Sequence, residues 1–186
     1  MVRNGGSRCG GTLVASKYVI TAAHCVDTWD RRRWKSVPAP VNQVSVLVGD
    51  HDVYKDGETY LKEKLVKVKS ITIHNDYKKP SPWSKRRVPD DMAILELDEE
   101  LDLETYTPAC IAIQGRGRWR RGMKVTAAGW GLTSSHPSSS PDVPHEVQLQ
   151  VSECWPEKDL CVGGSGKSWW KVRKCLAKIE LTTYIH

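Results

Sequence analysis

At 186 residues with 39% hydrophobic content, the chain is long enough for one domain with a sizeable core or two small ones, and wholesale disorder is excluded. No apolar run approaches the roughly 20 residues of a membrane span, so no membrane partner is expected, and no apolar stretch that could serve as a secretory signal follows Met1-Val2-Arg3-Asn4. The net charge of +6 comes largely from Arg31-Arg32-Arg33 with Lys35, from Lys85-Arg86-Arg87, and from Arg116, Arg118, Arg120 and Arg121, clusters set among Gly, Pro, Ser or Trp that read as solvated loops. No nucleic-acid partner is expected; a polyanion-binding surface or trypsin-type cleavage sites are the functional alternatives.

In chain order, short apolar runs recur with turn signals between them: Gly11 to Val14, Tyr18 to Thr21, Val44 to Val48, Leu65 to Val68, Ile71 to Ile73, Met92 to Leu97, Val125 to Ala128 and Val147 to Val151. The last alternates Val147, Leu149 and Val151 against Glu146, Gln148 and Gln150, which predicts one buried and one wet face. Between Val66 and Val68 on one side and Ile71 and Ile73 on the other the apolar parity shifts, and a bulge or bend near Ser70 accounts for it. No helical repeat of comparable strength precedes the tail, so the fold class is all-β, a barrel or sandwich.

Breaks are expected at Trp29 to Pro40, Asp76 to Pro89, Glu104 to Pro108 and the Ser/Pro-rich Thr133 to Pro144. The first two read as surface-loop insertions, and the third as the seam between two subdomains.

Six cysteines without zinc spacing point to disulfides and an oxidising compartment. Cys9 and Cys25 flank a strand-turn-strand segment, a natural pairing across a hairpin. Cys154 and Cys161 are placed to close a short loop, while Cys110 and Cys175 are left over.

Two residues then stand out. Val19-Ile20-Thr21-Ala22-Ala23 delivers His24 at the end of a strand, and an imidazole placed there needs partners for both ring nitrogens. Asp91 precedes the apolar run Met92-Ala93-Ile94-Leu95, which draws its carboxylate towards the interior, where a charge needs a partner. A histidine is the economical one, because a carboxylate on one ring nitrogen fixes the tautomer and leaves the other free as a general base. The plainer alternatives are a core or turn histidine and an aspartate that starts a strand at the surface.

Cys9-Gly10-Gly11-Thr12-Leu13 followed by Val19 to Cys25 resembles the histidine segment of the chymotrypsin-like (trypsin family) serine proteases. Asp91-Met92-Ala93-Ile94-Leu95-Glu96-Leu97 resembles the family's aspartate segment, and Ala128-Gly129-Trp130-Gly131 its Gly-Trp-Gly turn. The resemblance covers about Arg3 to Lys167. It implies His24 as general base, Asp91 as its orienting carboxylate, and a Cys9–Cys25 disulfide beside the histidine. It also implies two antiparallel six-stranded barrels of Greek-key type, the first over about 1–105 and part of the second over about 106–168, with 169–186 a divergent tail. Protein or peptide substrates, an extracellular setting, no cofactor, and a propeptide or light chain tethered through Cys110 are further implications of the same likeness.

The family's Gly-Asp-Ser-Gly-Gly string, which supplies nucleophile and oxyanion donors, is absent. Leu160-Cys161-Val162-Gly163-Gly164 is similar to a segment that precedes the serine in the family, which makes Ser165 a loop residue. The competing placement lets Cys161 to Gly166 stand in for the serine motif. Gly166-Lys167-Ser168 lacks the glycine and strand of a phosphate loop. The polypeptide is therefore expected to be inactive as written, and a second barrel lacking its last strands is expected to expose edges and limit solubility. Asp50 and Glu58 lie in a loop that some relatives use for calcium, but acidic loops are usually just solvated.

Overall fold

The computed structural model describes residues 1–32, 35–55, 61–78, 90–111, 120–131, 141–152 and 161–163. Among them every element is a strand except two single 3₁₀ turns, Ala23–Cys25 and Val41–Gln43. The chain divides into two compact units, Met1–Pro108 and Ala109–His186.

The described residues of the first unit hold nine strands: β1 (Val2–Asn4), β2 (Ser7–Cys9), β3 (Thr12–Ala15), β4 (Tyr18–Thr21), β5 (Asp27–Asp30), β6 (Lys35–Pro38), β7 (Val44–Val48), β8 (Lys64–Ile73) and β9 (Ala93–Leu97). Seven of them form a wholly antiparallel sheet in the order β2-β1-β7-β8-β9-β4-β3. Alternation decides its faces. Ala93, Leu95 and Leu97 of β9 turn inward beside Val19 and Thr21 of β4, Val44 and Val46 of β7, and Val66 and Val68 of β8, while Tyr18, Leu65 and Ile94 face outward. Val2, Ala23, Cys25, Val26, Ala39, Tyr77 and Leu101 complete the core.

One strand makes the sheet curl. The first half of β8 pairs with β7, from Val48↔Lys64 to Ser45↔Lys67, and its second half pairs with β9, from Val68↔Leu97 to Ile73↔Ala93. The register shifts between Val68 and Ser70, where the apolar parity changes, so the extra residue turns one strand from one half of the sheet into the other. Glu96 secures the bend, taking a bond from Ser70 Oγ at 2.9 Å and an ion pair from Lys69 Nζ at 2.6 Å. The lysine bond, then the serine bond, hold the Glu96 carboxyl below its ordinary pKa.

The stretch 29–40, expected as a surface-loop insertion, contains most of the β5–β6 hairpin, registered from Asp27↔Pro38 to Asp30↔Lys35. Its buried Asp27 and exposed Trp29 carry no apolar alternation, which is why the strands leave no sequence signal. The short strands β1 and β2, Val-Arg-Asn and Ser-Arg-Cys, likewise carry no apolar run that could mark them.

Gly11 leads into β3 under close approach. A Cβ there would lie 2.7 Å from Val2 Cγ2 and 3.0 Å from Val19 Cγ1, both on buried side chains. Gly11→Ala is expected to cost about 1 kcal/mol through overpacking, read as a lower urea midpoint at unchanged slope. An unchanged midpoint would mean that the valines move aside freely.

In the second unit β10 (Lys124–Gly129), β11 (His145–Ser152) and β12 (Cys161–Gly163) form an antiparallel meander. Val125 and Val151 are buried, and Leu149 is half-buried. Val147, expected inward, is 52% exposed: it shares the face of Val151 but lies towards the end of β11 paired with Ala127, beyond the buried part of the sheet. No described helix is long and apolar enough to cross a membrane.

Candidate active site

The neighbouring ends of β4 and β9 build the site. Thr21↔Ala93 is the last registered pair of these strands, so the residues just after β4 and just before β9 must emerge side by side. Thr21 is fully buried and donates its hydroxyl to Gly10 O at 2.8 Å, which ties the strand end to the start of β3. The chain then closes the 3₁₀ turn Ala23–Cys25 through Cys25 N→Ala22 O and Val26 N→Ala23 O. Ala23, Cys25 and Val26 are buried, and the intervening His24 projects outward with its side chain 52% exposed. The Cys9–Cys25 disulfide closes beside it, and Asn4 Nδ2 donates to Cys25 O at 3.0 Å.

On the facing segment Asp90 adopts a left-handed conformation (φ 54°), which aspartate tolerates better than most residues. Met92 N–H returns to Asp90 O at 2.8 Å, and this three-residue turn presents Asp91 between them.

The two residues meet at two points. His24 N–H donates to Asp91 Oδ1 at 2.9 Å, and His24 Nδ1 lies 2.7 Å from Asp91 Oδ2. Both carboxylate oxygens thus bond to His24. This hydrogen-bond network assigns the Nδ1–H tautomer and makes Nε2, 3.5 Å from Cys25 Sγ, the acceptor nitrogen of the ring. Burial alone would raise the Asp91 pKa, but the bonds from the His24 ring and backbone, the charge of His24 and the Ala23 backbone outweigh it and hold the carboxyl below its usual value. An imidazole held in this way can accept a proton at Nε2 while the carboxylate stabilises the resulting cation.

Among the described residues two clusters have metal-ligand composition. Cys9, His24 and Cys25 lie together, but both sulfurs are spent in the disulfide and offer no thiolate. In the other, His74, Asp76 and Asp90, His74 Nδ1 already accepts the Asp76 N–H at 3.2 Å. In the loop considered for calcium, Glu58 lies outside the described residues. Its buried carboxylate is Asp52, which the sequence reading passed over: it accepts Tyr54 N–H at 3.0 Å and pairs with Lys55 Nζ at 3.1 Å. The Tyr54 bond, against a smaller cost of burial, lowers the Asp52 pKa.

Cys110 is exposed and free. Cys154, Cys175, Ser165, Lys167, Ser168 and the 169–186 tail lie outside the described residues, as does the side chain of Cys161. Two further residues escaped the sequence reading. Asp27 and Tyr77, each 8% exposed, form a buried bond across 50 residues, and no local pattern marks either.

The trypsin family model matches residues 1–168. Curated relatives include a venom serine protease of Polistes dominula, 28% identical over 78% of this chain and 47% of the relative. The CLIP domain-containing serine protease B15 of Anopheles gambiae is 29% identical over 84% of this chain and 45% of its own length. Coagulation factor IX of Cavia porcellus is 34% identical over 56% of this chain and 30% of its own length. The chain spans less than half the length of these relatives. A nearly all-β chain with a curled half-barrel and a second, incomplete one is the architecture of a chymotrypsin-like protease. This chain belongs to the trypsin family.

Proposed function

We propose that His24 is the general base and Asp91 the orienting carboxylate of a secreted serine-type endopeptidase lineage acting on proteins or peptides. The observation that carries this reading is the two-point grip of Asp91 on His24, backbone and ring together. In peptide hydrolysis of this type, Nε2 takes the proton of a serine hydroxyl as the oxygen attacks the scissile carbonyl. The imidazolium is stabilised by Asp91 and returns the proton to the leaving amine, and the acyl-enzyme is then hydrolysed by water. The exposed thiol of Cys110 is suited to tethering a propeptide or light chain.

The polypeptide of 186 residues contains no Gly-Asp-Ser-Gly-Gly, so we propose that on its own it does not hydrolyse peptide bonds. That missing string favours a second reading for this polypeptide, a non-catalytic homologue that keeps the fold and binds partners. The test is a fluorophosphonate probe together with chromogenic peptides, applied to residues 1–186. No labelling and no turnover are expected. Labelling would place a nucleophile within this chain, and its loss in Ser165→Ala would identify the residue.

A further inference from the structure

We infer that Tyr77, through the bond of its hydroxyl to Asp27, is a positioning residue that holds the His24 turn against the Asp91 turn. The inference rests on the reading of His24 and Asp91 as base and carboxylate. Tyr77 is bound to the aspartate side by its backbone: its N–H donates to His74 O at 3.0 Å, and His74 N–H donates to Met92 O at 2.9 Å, one residue beyond Asp91. Asp27 belongs to the histidine side. It follows Val26, whose N–H closes the turn that carries His24.

Between these two sides the Tyr77 hydroxyl donates to Asp27 Oδ2 at 2.9 Å. The path from His24 to Asp91, Met92, His74, Tyr77, Asp27 and back to the 3₁₀ turn is therefore a closed ring of bonds. In it the Tyr77–Asp27 bond is buried, whereas the His24–Asp91 bonds are exposed.

The burial of this link gives it force. A hydrogen bond to a carboxylate in the core exchanges poorly with water, so the two turns cannot drift apart without leaving Asp27 short of a donor. Ser36 Oγ donates to the same oxygen at 2.7 Å and fixes the carboxylate from the β6 side. Ser36 has no backbone route to Met92 through the His74 turn, so it orients Asp27 without joining the two site segments. Burial, then the Asp27 bond and charge, with Asp91 behind them, push the Tyr77 phenol far above its ordinary pKa, and the hydroxyl remains a donor at every physiological pH.

The test uses the oxidised 186-residue chain and two NMR readouts, the exchange rate of the His24 amide that sits on Asp91 Oδ1 and the titration midpoint of the His24 ring. Tyr77→Phe is expected to speed that amide about ten-fold relative to the Leu95 amide and to lower the ring midpoint by about 0.5 pH unit. Ser36→Ala, which removes the other bond to the same oxygen, is expected to leave both at wild-type values. Should Tyr77→Phe fail to fold, Asp27→Asn serves in its place, keeping an acceptor but weakening the bond, with the His24 amide expected to exchange about three-fold faster. An unchanged amide there, or both readouts at wild-type values in Tyr77→Phe, overturns the positioning role. Asp91→Asn separates the two readings: if it does not lower the His24 midpoint, the base–carboxylate pair itself fails, whereas a normal response there with a silent Tyr77→Phe removes Tyr77 alone.

Discussion

Replacing Cys9 and Cys25 together by alanine should lower the stability of the chain by about 3 kcal/mol, because the disulfide closes a loop of 16 residues in the unfolded ensemble. For a unit of this size that corresponds to a fall in Tm of roughly 12 to 20 °C, measured by calorimetry under non-reducing conditions. The effect acts mainly through the unfolded state. The 3₁₀ turn is separately held by its own backbone bonds and by Asn4 on Cys25 O, so the folded fraction of the double variant should still show the His24–Asp91 pair. A Tm within about 3 °C of wild type would show that the unfolded chain already keeps the two ends close.

The second large effect is carried by Asp91. Asp91→Ala removes the acceptor for both the His24 amide and its ring, and should cost about 2 kcal/mol at pH 7, within the range for bonds to a charged group. Because the folded pKa of Asp91 lies below the unfolded value of about 3.9, its contribution is complete above that value and is lost as the pH falls through the folded pKa. Urea titrations at several pH values should therefore show wild type and variant separated from pH 7 to about 5 and converging below about 4. A separation that ignores pH would mean that the carboxylate acts by packing and not by charge.

The sequence made legible those parts of the fold in which side chains alternate. The strands β4, β7 and β9 lie where their apolar runs place them, and the parity change between Val68 and Ile71 is the bulge itself. The Cys9–Cys25 bridge and the meeting of His24 with Asp91 were also legible, the latter because an aspartate at the head of an apolar strand must find a partner. The β5–β6 hairpin was not. Its strands are rich in charge and hydroxyl groups, held by backbone pairing and the Asp27 bonds with little apolar burial. Periodicity also reports which way a side chain points, not how deep it lies, and Val147 shows the difference. Asp27 and Tyr77 were invisible for another reason: a bond between residues 50 apart leaves no trace in either neighbourhood.

The bend in β8 constrains how such a chain can change length. Since one strand serves two partners, deleting Lys67 from the end of its first half would reverse the facing of Val66 against β7 while β9 kept its register. No local repair could restore both. Insertions and deletions should therefore accumulate outside β8, away from the buried Asp52 before it and Tyr77 after it, and leave the ten residues from Lys64 to Ile73 fixed in number. A deletion scan across 49–78, scored by soluble yield, should trace that boundary residue by residue.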